Sequence, residues 1–413
     1  MCVGELYLMS NQERIQARIA RDKARKAEKR KGVIEKHGTY ENVFTLQNLH
    51  RSLQKRRKNV EWKGSVQAYL AHAIVKMKRA KDDLLRGDMN IKNTIRRMTI
   101  YERGKRREIH AILIDSRVIQ GVLCDASITP LTQPSLIYDN PASTKHKGIS
   151  HARNRVLKMI RDQIKESGPD SYVLLTDYSG FFDSIPHAVC REKLRKAGMD
   201  ERLRNLTLDC IKMYLAQDIS FVEDPAERER LMTALAEDRS CGATLGSQIS
   251  QDMALVVPND IDHAVKDKLG MKRYMRYMDD SQTCSDSKDK LRLVYDVIKS
   301  QSEEAGLKLN EKKTRIVKFT RGFVFLKIRY IVTETGKVIR KLAKSGIVRM
   351  RRKLKKFVEL VRKGKMMLDD AFNSFSSWWG NAKKFAQSYR ARKAMLVLYN
   401  RLFKRYRTGG IAA

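Results

Sequence analysis

Tyr277, Met278, Asp279 and Asp280 stand in a row between residues 271–276 and the polar run 281–284. Adjacent carboxylates at the tip of a short hairpin make a doubly charged turn, which folds rarely keep unless a cation neutralises it. A further carboxylate, Asp177, lies far upstream, where it closes the apolar run Tyr172, Val173, Leu174, Leu175 and Thr176. Hard oxygen donors of this kind suit Mg2+, which keeps several waters and needs few protein carboxylates. Two such ions, about 3.5–4 Å apart, stabilise the attacking and leaving oxygens of an in-line displacement at phosphorus. Asp177 and Asp279 are the expected bridging ligands. Successive strand residues point to opposite faces, so Asp280 is expected to assist at longer range.

Two strands that each bring an Asp to one point describe the palm of a nucleic-acid polymerase. There a primer 3′-OH attacks the α-phosphate of a nucleotide and pyrophosphate leaves. The charge agrees: 85 Lys and Arg against 47 Asp and Glu leave +38, far more than solubility needs, so a polyanionic partner is the economical explanation. With 413 residues, 42% of them hydrophobic, the chain can bury a sizeable core in two or three lobes. No apolar stretch approaches the ~20 residues of a spanning helix, and residues 1–10 are too short and acidic for a secretion signal. A cytoplasmic protein with no membrane partner is expected. Cys2, Cys124, Cys190, Cys210, Cys241 and Cys284 lack the spacing of a zinc site and read as reduced thiols.

The elements that must position the acids follow from periodicity. Residues 14–31 form a basic arm with almost no face to bury, either solvated or in contact with RNA. Val66, Leu70, Ala73, Ile74 and Met77 predict one amphipathic helix. Residues 98–102, a turn at 103–105 and residues 106–113 predict a hairpin whose tip carries four cations, a sign that suits a triphosphate. A helix is predicted from Asp115 or Ser116 as cap to about Ile128, another capped by Ser150, and a third from 184–187 toward Ala197. Leu291, Val294, Ile298 and Ala305 mark a helix after the Asp-Asp hairpin. Beyond Tyr330, three apolar patterns predict a bundle of three helices.

Taken in order, these segments resemble the reverse transcriptase family, in the bacterial branch of group II introns, retrons, diversity-generating retroelements and defence-associated enzymes. The resemblance spans residues 42–406. It implies an α+β fold: a right-hand polymerase with fingers and palm (an RRM-like antiparallel sheet with helices) and a three-helix thumb. Residues 1–41 would be the basic arm, 42–170 the fingers, 171–330 the palm, and 331–413 the thumb and tail. Asp177 followed five residues later by an aromatic matches the first palm motif, and implies that Phe182 is the steric gate under the deoxyribose. Gly246, Ser250 and Gln251 match the second motif, which supports template and incoming nucleotide. Its Gly-x-x-x-Ser-Gln spelling is similar to diversity-generating retroelements and departs from introns and retrons.

Residues 306–314 resemble the next motif, in which a lysine, Lys312 or Lys313, lies near the departing pyrophosphate. Residues 323–327 resemble the primer-gripping hairpin, with Lys327 where the family has Gly. Lys105, Arg106 and Arg107 match a fingers hairpin used on triphosphate, and Arg117 begins a segment similar to the finger helix. The resemblance implies an RNA-directed DNA polymerase that uses two Mg2+ ions, with Mn2+ as a substitute. Its partners would be an RNA template, dNTPs, a DNA or cDNA product and an accessory protein. The short C-terminal remainder leads to the expectation that no ribonuclease H, integrase or endonuclease follows. Two settings are expected: a diversity-generating retroelement, favoured by the second motif, or antiviral defence in which a partner non-coding RNA is copied. A catalytically inactive RNA-binding scaffold is the rival from another class.

Overall fold

A computed structural model describes residues 11–87, 95–102, 105–243 and 246–406. The chain separates into two compact units, each assembled from non-contiguous segments.

The first unit comprises Met1–Thr144, Tyr178–His263 and Lys299–Leu309 and is mainly helical. A 27-residue helix, Asn11–His37, leads in. Helix Leu46–Arg57 starts at Thr45, whose hydroxyl accepts from the Asn48 N–H, and packs on helix Ile114–Val122. Their approach is close because residue 121 is Gly: a Cβ there would lie 2.3 Å from Ser52 Oγ. Ser52 Oγ donates to Val118 O at 2.7 Å and is thereby satisfied inside the contact. The predicted basic hairpin is present as β1 (Ile95–Glu102) and β2 (Lys105–Ile112), paired antiparallel from Ile95↔Ile112 to Glu102↔Lys105. Lys105 thus belongs to the strand, and residues 103–104 of the expected turn lie outside the described residues.

Two expected helices are corrected in this unit. The single helix expected over Val66–Met77 is two, Gly64–Ala71 and Ala73–Arg86, because His72 leaves helical geometry at φ −124°, ψ 25°. Ile74 consequently points outward at 79% exposure, while Val66 and Met77 stay in the core. The helix expected to run from an Asp115 or Ser116 cap to Ile128 is capped at Leu113 and begins at Ile114, so both of those residues lie inside it. From Leu123 to Ile128 it widens into a π-helical turn. The helix His187–Ala197 forms as expected.

The second unit comprises Lys145–Asp177, Ala264–Ile298 and Asn310–Ala413. Its centre is an antiparallel sheet of β3 (Tyr172–Asp177), β4 (Tyr274–Tyr277), β5 (Asp280–Ser285) and β6 (Arg315–Lys318), in the order β4-β5-β3-β6. β3 is interior, so it needs apolar residues on both faces, and Val173, Leu174 and Leu175 are all buried. Helix Ile149–Ser167 covers the sheet with Val156, Met159 and Ile160 in one core with Val173, Leu175, Met275 and Cys284. Its cap is Gly148; Ser150, the expected cap, is already inside the helix. Helix Lys288–Glu304 follows β5 and ends one residue short of Ala305.

A second sheet, β7 (Phe323–Phe325), β8 (Ile328–Val332) and β9 (Val338–Leu342), joins the same core through Phe323, Tyr330 and Val332. The region beyond Tyr330 therefore opens with strands, and its helices begin only at Lys344. These are Lys344–Arg362, Leu368–Lys383 and Tyr389–Phe403, closed around Leu354, Phe375, Tyr399 and Phe403. Trp378 and Trp379, both partly buried, lean on this cluster.

Candidate active site

β4 and β5 are joined by a two-residue turn, because Tyr277 is the register partner of Asp280. Such turns need left-handed backbone, and Met278 supplies it at φ 57°, a conformation that costs a non-glycine residue about 1 kcal/mol. What holds it is Arg276, a side chain only 1% exposed, whose Nη1 donates to Met278 O at 3.2 Å. Met278 in this strained position sets the carbonyl of the turn toward Arg276 and leaves Asp279 at its tip.

The same register places Asp177, the last residue of β3, directly opposite Asp280. Directly paired residues of antiparallel strands share a face, with Cβ atoms roughly 4.5–5.5 Å apart, so these two carboxyls lie side by side. Asp177 is 5% exposed. Burial, followed by the charges of Asp279 and Asp177, pushes the Asp280 carboxyl up to about 7; the hydrogen bond that the protonated Asp280 donates to Asp177 acts the same way. Three carboxyls thus converge across two strands and a turn, with Asp280 nearer to Asp177 than the alternation argument suggested. On the opposite face, one step back in register, Thr176 Oγ1 and Ser281 Oγ are 2.5 Å apart and lock β3 to β5.

Lys313 Nζ lies 2.6 Å from Asp177 Oδ2. The bond to Asp177 raises the ammonium further, so it is firmly charged where negative charge is concentrated. Lys312 and Lys313 are both exposed, and it is the contact with Asp177 that distinguishes Lys313 of the two lysines the sequence left equal. The segment bearing Lys313 is tied to the same strand end: Asn310 N–H donates to Asp177 O at 2.7 Å, and Lys313 N–H to Asn310 O at 3.1 Å.

Among the described residues, no group of three or more His, Cys, Asp or Glu side chains is placed to hold a metal ion. The donor set nonetheless fits a hard divalent cation. Asp177, Asp279 and Asp280 offer only carboxylate oxygens, and their mutual repulsion, visible at Asp280, is what a cation relieves.

The other expected residues belong to the first unit. Phe181 is buried and stacked on Tyr178 at 5.1 Å, whereas Phe182 is half-exposed and meets Phe181 edge-on. Of the two aromatics, Phe182 is therefore the one left free of the core. Gly246 adopts φ 108°, which a side chain would strain, and precedes the helix Gln248–Val256. Ser250 is fully buried and its hydroxyl has no hydrogen-bond partner among the described residues, and Gln251 is exposed and accepts from Ser143 Oγ at 3.3 Å. Arg117 sits exposed on helix Ile114–Val122. Lys105, Arg106 and Arg107 open β2, and their side chains lie outside the described residues.

Arg276 and Asp252 were not anticipated. Arg276 had a legible signal, a lone cation inside the apolar strand Tyr-Met-Arg-Tyr. Asp252, 5% exposed on the helix Gln248–Val256, had none, since its burial depends on the π-turn packed against it.

Residues 92–369 of the chain match the family described as Reverse transcriptase (RNA-dependent DNA polymerase). No curated protein matches the chain.

Proposed function

This chain belongs to the reverse transcriptase family, whose members are RNA-directed DNA polymerases, nucleotidyltransferases that use divalent metal ions; from that premise we propose that it copies a structured non-coding or element-encoded RNA into cDNA with two Mg2+ ions. Asp177 and Asp279 would hold the ions, with Asp280 completing the acidic group. When bound, the ions polarise the attacking and leaving oxygens of the transferred phosphate. The observation that carries the reading is the Asp177↔Asp280 register with Asp279 in the adjoining turn.

The chain's own residues supply the rest. Lys313 neutralises the carboxylates before substrate arrives and offers its ammonium to the departing pyrophosphate. Phe182 excludes a 2′-OH by the flat face of its ring. Gly246 lets nucleic acid approach the backbone, beside Ser250 and Gln251, and Lys105, Arg106, Arg107 and Arg117 engage triphosphate. Fingers, palm and thumb are assigned to residues 42–170, 171–330 and 331–413, in a bacterial cytoplasmic enzyme. The Gly-x-x-x-Ser-Gln spelling of the second motif supports a diversity-generating retroelement working with an accessory protein.

The test is Mg2+-dependent incorporation of dNTPs on a primed RNA template, beside Asp279→Ala and Asp280→Ala. Incorporation by the parent and a loss of at least 1,000-fold in Asp279→Ala are expected, because removing an ion ligand forfeits several kcal/mol of transition-state stabilisation. No incorporation on any template by the parent would favour an RNA-binding scaffold.

A further inference from the structure

The helix Asn11–His37 buries none of its residues, and cations dominate it. Arg14, Arg18, Arg21, Arg25, Lys29 and Lys36 are spaced so that, at 100° per residue, all six fall within a sector of about 80°. All are exposed. They form a stripe about 33 Å long, at 1.5 Å per residue. Glu28 flanks it, and Asp22 pairs with Arg25 at 3.3 Å in an exposed contact of little worth.

The helix is fastened by its other side. Arg30 Nη2 donates to Lys196 O at 2.8 Å, and Ile34 fills the space over Gly198. At its end, His37 Nδ1 lies 2.7 Å from Ala126 O, and Ser127 Oγ donates to His37 O at 2.8 Å. Anchoring through Arg30 and Ile34 turns the cationic stripe away from the protein that holds the helix.

The stripe leads somewhere. Lys36, its last member, lines a cavity of about 720 Å³ within the same unit, together with Gln47, Arg51, Gln54 and Lys55. That volume suits a nucleotide-sized ligand. Lys55 is spoken for by Asp125 at 3.1 Å, and Gln54 Nε2 lies 3.0 Å from His50 Nε2, whereas Lys36 and Arg51 are exposed cations at the rim, and the Gln47 amide and the Gln54 carbonyl can pair with a base or a ribose hydroxyl.

We infer that this stripe and cavity form one binding track for single-stranded RNA, with phosphates along Arg14–Lys29 and a nucleotide lodged beside Lys36 and Arg51. The inference rests on the reading that the chain works on RNA, and assigns a second RNA site apart from the acidic group. A membrane surface fits poorly, since a surface helix needs an apolar face and this one offers Ile15 and Ile19 alone on its outer half. Amides in the cavity favour RNA over an acidic protein.

The test uses the full chain and a labelled 20-nucleotide single-stranded RNA titrated across a range of salt. Changing Arg14→Gln, Arg18→Gln, Arg21→Gln and Arg25→Gln together should lower the log–log salt slope by about 3, at roughly 0.7 per phosphate for single strands. Extension of a short, pre-annealed primer–template should proceed at the parent rate. Lys36→Gln with Arg51→Gln, two exposed changes on well-anchored elements, should weaken RNA binding about tenfold at low salt with the thermal midpoint unchanged. An unchanged slope in the first variant and unchanged affinity in the second would overturn the track. So would an equal loss of short-template extension, or capture by phosphatidylserine vesicles in place of RNA. A DNA oligonucleotide of the same sequence bound as tightly would overturn the assignment to RNA. Absence of incorporation by the parent would defeat the proposed polymerase while leaving the salt slopes readable.

Discussion

Asp280 shows how little a residue's own chemistry decides. Burial, then the charges of Asp279 and of Asp177 facing it across the strands, draw its carboxyl up to about 7. Arg276 is the residue on which the geometry of this group depends, through its bond to the strained turn. Arg276→Met keeps the apolar stem and removes the donor; polymerisation should fall roughly 10- to 100-fold, as small misplacements of reacting groups do. Steady-state incorporation against the parent measures it, and a parent-like rate would show that the turn holds itself. Asp252 is a separate matter, raised to about 7 chiefly by burial and then by Asp125. Its folded value lies above the unfolded one, so the folded chain holds the proton more tightly. That stability is full below about pH 4 and is lost as pH rises to about 7. Asp252→Asn should therefore gain stability relative to the parent at pH 8 compared with pH 5, by up to a few kcal/mol. Denaturant midpoints at the two pH values decide it; an equal difference at both would place the perturbation elsewhere.

At the scale of elements, two-residue turns recur where function is expected. The β7–β8 turn puts Leu326 at φ 47° and Lys327 at φ 65°, so both central residues take the left-handed conformation that glycine prefers. Arg153, 6% exposed, pays for this by donating from Nε and Nη2 to Leu326 O at 3.1 and 2.9 Å, while its guanidinium lies over Phe385 at 5.7 Å. The helix Ile149–Ser167 thereby holds the hairpin that resembles a primer grip. Lys327→Gly should stabilise the fold by roughly 1 kcal/mol, the penalty of a left-handed side chain. Chemical denaturation is the measurement, and a destabilised variant would mean that the contacts of the lysine outweigh its strain. That the turn needs positive φ was implicit in the substitution of Lys for Gly, but Arg153 as its tether was not legible, since the two lie far apart in sequence.

For the whole molecule, the +38 charge is the dominant property. It is distributed over elements of both units, from the exposed stripe of Asn11–His37 to the outward side of Lys344–Arg362, where residues 351–353, 355 and 356 are exposed cations. Among the described residues, no helix is long and apolar enough to cross a membrane. RNA affinity of the intact chain should therefore fall steeply with salt, by close to one log–log unit per phosphate neutralised. Binding isotherms at several ionic strengths measure this, and a flat response would mean that the charge serves something other than a nucleic-acid backbone.

Local chemistry made the acids, the strand ends that carry them and the terminal three-helix bundle legible, because apolar runs and periodicity report which face a segment must bury. Periodicity ran on through His72 and past Leu123, however, where packing broke one helix and widened another. Pairing register is a property of two strands at once, so only the folded chain could put Asp280 opposite Asp177 and bring Lys313, not Lys312, onto that carboxylate. Side chains of one type diverge when their surroundings do, and those surroundings are assembled from residues that the linear order keeps apart.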